Sequence, residues 1–183
     1  MSARIDTRRA YSGRIINVDL DRVRFPDGSE GELEMVRHPG ASAVVPFVSD
    51  PTGSDPQVLL IKQYRYASEQ FMYEIPAGRL DPGEAPATCA KRELREETGC
   101  HAEHVELLTT IYTTPGFTDE RIHLFMATGL THGDTDRELD EFIEVETLPI
   151  SRCLAMIQSG EISDGKTIIA LMYAAGFRLG QAG

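Results

Sequence analysis

The first third of the chain alternates apolar and polar residues. From Arg14 to Phe25, Ile16, Val18 and Leu20 occupy every second position before the register slips to Val23 and Phe25, the pattern of a bent or bulged strand. Pro26, Asp27, Gly28 and Ser29 form a turn, and Glu32 to Arg37 alternates again through Leu33 and Met35, so residues 14–37 predict a β-hairpin. A hairpin cannot bury itself alone, so it must lie on the main body or on a second subunit. Residues 1–10 carry Arg4, Arg8 and Arg9 without periodicity and read as an arm.

Further along, Ala41 to Val48 is a continuous apolar strand, and Val58 to Lys62 is another that runs into Gln63, Tyr64 and Arg65. Phe71 to Ile75, Val105 to Tyr112, Ile122 to Ala127 and Phe142 to Glu146 also read as strands. Residues 131–141 are polar and acidic, with Asp134, Asp136, Glu138, Asp140 and Glu141, and predict a mobile loop. Two helices follow: Ser151 to Gln158, closed by Gly160, and Lys166 to about Phe177, whose apolar stripe is expected in the core. Helices on both sides of a mixed sheet predict an α/β sandwich.

One stretch departs from this alternation. Gly78 to Cys100 reads GRLDPGEAPATCAKRELREETGC: Pro82 and Gly83 force a turn, Pro86 to Thr98 are good helix formers, and Gly99 stops the helix. Glu93, Glu96 and Glu97 stand at i, i+3 and i+4 on one helix face. Like charges at that spacing repel by a few tenths of a kcal/mol per pair. Arg92 and Arg95 offset part of that repulsion. Two readings stay open at this level: a solvated acidic face, or a site for a hard divalent cation.

The spacing of the whole stretch separates them. Glycine, five residues, Glu84, seven residues, then Arg92-Glu93-Leu94-Arg95-Glu96-Glu97-Thr98-Gly99 resembles the Nudix box at each position except the last, where Cys100 replaces an aliphatic residue. The resemblance implies a Nudix-type α/β/α sandwich with a mixed sheet and an N-terminal β-hairpin extension. Residues 1–40 would be the arm and hairpin used for dimerisation, and 41–183 the hydrolase domain. It also implies Mg2+, with Mn2+ as substitute, held by Glu93, Glu96, Glu97 and the carbonyl of Ala77; Glu96 and Glu97 then serve catalysis. Glu84 would be structural, and Arg92 would orient a box carboxylate. The chemistry agrees, because water attacking an anionic diphosphate needs cations on the phosphate oxygens.

Outside the box, the hairpin ending in Val36 to Gly40, the segment Gln63-Tyr64-Arg65, Glu74 to Gly78 (EIPAG) and Pro115 to Glu120 (PGFTDE) resemble the ADP-ribose pyrophosphatase branch. That branch implies cleavage of ADP-ribose to AMP and ribose 5-phosphate by a homodimer. Another nucleoside diphosphate sugar is the alternative substrate, and a non-catalytic nucleotide-sugar sensor the alternative of another class. The resemblance implies that Arg37, Arg65, Glu74, Arg79, Gly116, Phe117 and Glu120 bind substrate, and that Glu141 is base or additional metal ligand, with Glu138 and Asp140 as rivals. Tyr11, Phe25, Tyr64 and Phe117 are candidates for stacking on the base.

Composition narrows the partners. The chain of 183 residues carries a formal net charge of -11, the wrong sign for broad contact with nucleic acid or an anionic membrane. A small phosphorylated substrate, neutralised locally, remains compatible. No apolar run is long enough to span a bilayer, and Cys89, Cys100 and Cys153 lack metal-ligand spacing. A cytoplasmic protein with reduced thiols is the expectation.

Overall fold

A computed structural model of the chain describes residues 3–133 and 143–179. Three sheets and three helices make up these residues. β1 (Arg4–Ser12), β2 (Asn17–Arg24) and β3 (Glu30–Arg37) form an antiparallel sheet in that order. β4 (Ala41–Pro46) lies inside a four-stranded sheet of order β7 (Ala77–Arg79), β4, β9 (Arg121–His132), β8 (Cys100–Tyr112). The β4 and β9 strands run parallel and the other neighbours antiparallel, so this sheet is mixed. β5 (Gln57–Arg65) pairs with β10 (Ile143–Pro149) on one side and β6 (Gln70–Glu74) on the other, both antiparallel. The remaining elements are α1 (Pro86–Thr98), α2 (Ile150–Ser159) and α3 (Gly165–Tyr173), the last running into a π-helical turn at Ala174–Leu179.

Alternation along the central strands divides the core in two. Ala43, Val45, Val58, Leu60, Ile122 and Leu124 pack with Ile150, Cys153, Met156, Ala170 and Leu171 of α2 and α3. Val44, Leu59, Phe125 and Ala127 face the other way, onto Ala90 and Leu94 of α1. Successive side chains on a strand point to opposite faces, so strands buried on both sides read as unbroken apolar runs, as 41–48 does. The result is the expected α/β/α sandwich with a mixed sheet.

The N-terminal region differs from its reading in two respects. Residues 4–12 are a strand, not an arm: β1 pairs with β2 from Arg4↔Val23 to Ser12↔Asn17. The register shifts lie in that pairing, between Arg4 and Asp6 and between Arg9 and Tyr11, whereas β2 meets β3 without interruption. The apparent slip in residues 14–25 has another cause. Asp19 and Asp21 are buried while Val18 and Leu20 are half-buried, because Arg9 and Arg37 reach across from the neighbouring strands to pair with the two aspartates. Polar residues therefore take the inner face, and a rule that puts apolar residues inside misreads the strand.

The hairpin region touches the body at its base. Val36 N–H donates to Phe117 O at 2.7 Å, and Asp119 accepts from both His38 N–H at 3.0 Å and Arg37 at 3.2 Å. Two other strands extend beyond their reading: β8 begins at Cys100 and β9 reaches His132. The rest of the acidic segment, including Glu138, Asp140 and Glu141, lies outside the described residues. No helix among the described residues is long and apolar enough to cross a membrane.

Leu94 is fully buried under α1, and Leu94→Ala should cost about 3 kcal/mol of unfolding free energy, read as a lowered midpoint in urea.

Candidate active site

The local sequence sets the box helix at both ends. Ala85 is extended, Pro86 occupies the first helical position where a missing N–H costs nothing, and Gly99 closes the helix at φ 72°, donating to Arg95 O at 2.8 Å. One helix face then brings Glu93, Glu97 and Leu94 against the sheet. Glu97 is 2% exposed, and its Oε2 accepts from Ala77 N–H at 3.0 Å. Gly78 lies against Glu93 so closely that a Cβ there would overlap the Glu93 carboxylate. That approach, not a turn, is why a glycine stands at 78.

Arg92 binds these carboxylates together. Its Nε and Nη2 donate to the two oxygens of Glu84, each at 2.9 Å, and Nη1 donates to Glu93 at 2.6 Å and Glu96 at 3.0 Å. Nη2 also meets Arg79 O at 3.1 Å. The bidentate hydrogen bond from Arg92 holds the Glu84 carboxyl down at about 2 against an ordinary 4.5. The Glu84 carboxylate thus faces Arg92. Nearby, burial followed by the Glu93 charge pushes the Cys89 thiol up to about 12, which keeps it neutral.

Two adjoining cavities meet over Ala77, Gly78 and Arg79. The smaller, about 340 Å3, is lined by Arg92, Glu93 and Glu96 together with Arg14 and Asp81. The larger, about 700 Å3, opens toward Glu120, Tyr112, Ile111, Met72 and the start of α3. Glu74 and Arg65 line it as a pair: Arg65 donates to both Glu74 oxygens at 2.7 Å, and Lys166 Nζ bonds the same carboxylate. Burial pushes the Glu74 carboxyl up, but the Arg65 hydrogen bonds and the Lys166 charge outweigh it, and the net shift is downward.

Of the residues expected to bind substrate, Arg65, Glu74, Arg79 and Glu120 line the large cavity. Arg37, Gly116 and Phe117 line neither cavity. The Arg37 guanidinium is shared among Asp19, Asp21 and Asp119, which ties the N-terminal sheet to the loop 113–120. Tyr11, Phe25, Tyr64 and Phe117 are exposed and outside both cavities, whereas Tyr112, with Arg121 stacked 6.0 Å from its ring centre, lines the larger one. Sequence reading passed over Asp164, Lys166 and Thr167. The capping of Thr167 by Asp164 is a local signal, but Thr167 and Lys166 also bond Ile75 and Glu74, 92 positions away. Glu141, expected as base, lies outside the described residues.

The NUDIX domain pattern matches residues 38–169. The chain belongs to the Nudix family. It is 40% identical over 171 residues to a methanol dehydrogenase activator of Bacillus methanolicus, an alignment spanning 92% of this chain and 90% of that one. It is 39% identical over 171 residues to an ADP-ribose pyrophosphatase of Bacillus subtilis (strain 168), with the same coverage. A solved structure of an ADP compounds hydrolase superposes with a TM-score of 0.82, covering 98% of this chain and 95% of that one at 20% identity, a likeness of fold.

Nudix hydrolases generally use a divalent metal, and the residues here fit one. Glu93, Glu96, Glu97 and the Ala77 carbonyl form a set of hard oxygen donors, and glycine at 78 leaves room for Glu93 beside the loop backbone. A single Arg92 nitrogen bridges Glu93 and Glu96, so a positive charge already sits between two of these carboxylates. Among the described residues, no group of three His, Cys, Asp or Glu side chains is arranged to hold a metal ion as the side chains stand.

The Glu84–Arg92 pair makes a pH prediction for this Nudix chain. A carboxyl depressed from 4.5 to about 2 contributes stability that is present above 4.5 and lost as pH falls through about 2. Glu84→Gln should therefore lose on the order of 2 kcal/mol less than the parent between pH 5 and pH 2, measured by urea unfolding at each pH.

Proposed function

We propose that the chain hydrolyses the diphosphate of ADP-ribose to AMP and ribose 5-phosphate, using Mg2+ with Mn2+ as a working substitute. The observation that carries this reading is the meeting, over Ala77 to Arg79, of a pocket lined by box glutamates with a cavity of about 700 Å3. The first suits a cation on the diphosphate, and the second has room for the groups on either side of it. Kinship with the Bacillus subtilis ADP-ribose pyrophosphatase over 92% of the chain supports the substrate.

The reaction breaks one P–O bond of the diphosphate and adds water across it. A bound divalent cation supplies charge neutralisation and a water of lowered pKa. The residues of the chain do the rest. Glu93, Glu96 and Glu97 would hold the cation, and Ala77 N–H fixes the orientation of Glu97. Arg79 lines both cavities, and its guanidinium would meet a phosphate oxygen. The Glu141 carboxylate would take the proton of the attacking water, as the family resemblance implies.

The same reading includes a homodimer in which the N-terminal sheet packs on a second copy. Support comes from β1, exposed along its whole length, and from Ile5, Tyr11, Ile15 and Leu33, large apolar residues left open to solvent around it. Sedimentation at micromolar concentration should report a dimer. A cytoplasmic setting accords with Cys89, Cys100 and Cys153, which are all free.

A metal-dependent hydrolysis screen over ADP-ribose, NADH, ADP-glucose, GDP-mannose and UDP-sugars should show fastest release of nucleoside monophosphate from ADP-ribose. Release from none of them would end the enzyme reading. Glu97→Gln should abolish turnover while the protein stays folded, and Glu141→Gln should lower it by about two orders of magnitude; an unchanged rate for Glu141→Gln removes that residue from the mechanism.

A further inference from the structure

The segment from Glu74 to Gly78 carries the site, since Ala77 N–H holds Glu97 and Gly78 makes room for Glu93. This segment is also where the chain crosses from one sheet to another, β6 ending at Glu74 and β7 beginning at Ala77. At such a crossing the ladder is interrupted, and backbone groups need other partners. Pro76 O is met by Val44 N–H at 2.9 Å. Ile75 N–H, fully buried, is met by a side chain from the far end of the sequence: Thr167 Oγ1, at 2.9 Å.

The start of α3 builds a closed ring around this crossing. Thr167 Oγ1 accepts from Ile75 and donates to Asp164 Oδ2 at 2.6 Å, while Thr167 N–H reaches the same oxygen at 3.0 Å. Lys166 Nζ also donates to Asp164 Oδ2, at 3.0 Å, and then to the Glu74 carboxylate, whose other partner is Arg65. Glu74 and Ile75 are adjacent, so the ring closes through the backbone. Glu74 is 1% exposed and the Lys166 side chain 11%, so losing either partner leaves a largely buried charge poorly compensated.

We propose that Lys166 and Thr167, set by Asp164, are positioning residues for the metal-holding glutamates. The proposal rests on the metal-site reading above. By fixing Glu74 and Ile75, the start of α3 sets where Ala77 and Gly78 stand against α1, and these two residues set the orientation of Glu97 and the room for Glu93. Outer partners that fix the backbone carrying a ligand orient that ligand, and here Lys166 and Thr167 would act through residues 74–77. Neither residue needs to touch substrate for this.

The test is Mn2+ binding by calorimetry, made on parent and variants at a temperature where circular dichroism shows all of them folded. Thr167→Val removes the hydroxyl at nearly constant shape, and Lys166→Met removes the charge; each should weaken Mn2+ binding about tenfold and raise the Mg2+ requirement, with KM little changed for Thr167→Val. Thr167→Ser and Lys166→Arg keep the donors and should stay within about twofold of the parent. A variant that melts lower but binds Mn2+ as the parent does would overturn the proposal. A parent that binds no Mn2+ would overturn the metal-site reading along with it. Should the disruptive variants fail to fold, hydrogen exchange on the unmodified protein decides: Mg2+ should slow exchange at the Ile75, Ala77 and Thr167 amides, and unchanged exchange at all three would sink the idea.

Discussion

The contact between the Glu97 carboxylate and the Ala77 amide joins the box helix to the sheet beside the two cavities. Glu97 is almost wholly buried, and a carboxylate in that setting is tolerable only if its oxygens have partners. The backbone of residues 77 and 78 supplies part of that partnership by approaching α1 with no Cβ in the way at Gly78. Displacing either element leaves a buried charge poorly solvated, so helix and strand keep one relative position. The cavities on both sides inherit that geometry, because both are lined by Ala77, Gly78 and Arg79.

A chain with a net charge of -11 nevertheless places several carboxylates out of water. Each described cluster of them is answered by a basic side chain: Arg92 among Glu84, Glu93 and Glu96, Arg65 and Lys166 on Glu74, and Arg9 and Arg37 on Asp19 and Asp21. Buried ion pairs add little net stability but cost much when one partner is removed, so they act chiefly to fix geometry. Here they fix two things: the box glutamates relative to the loop before them, and the N-terminal sheet relative to the loop 113–120.

Strands β4 and β5, the box helix and α2 were legible because they are local: apolar runs, Pro86 at the helix start and the glycines at 99 and 160 announce them without help from distant residues. The strand at 4–12 was not legible, for its sequence, RIDTRRAYS, has no regular apolar alternation and is exposed throughout. Its place comes from pairing with β2, which no pattern within the first ten residues could show. The burial of Asp19 and Asp21 was hidden for the same reason, since the arginines that neutralise them come from other strands.

For the candidate site, the sequence by itself determined which glutamates share one helix face. Spacing on one helix face and the glycine before it specify Glu93, Glu96, Glu97 and the neighbourhood of residue 78, because helical geometry is short-range and repeats every 3.6 residues. What only the tertiary structure decided is which cations those carboxylates and their neighbours meet. Arg65 turns to Glu74, Arg37 turns to Asp19, Asp21 and Asp119, and Lys166 and Thr167 arrive from the far end of the chain to hold the segment before Ala77. Those choices depend on chain crossings between sheets, and a crossing brings together residues whose distance along the sequence carries no trace of their distance in space.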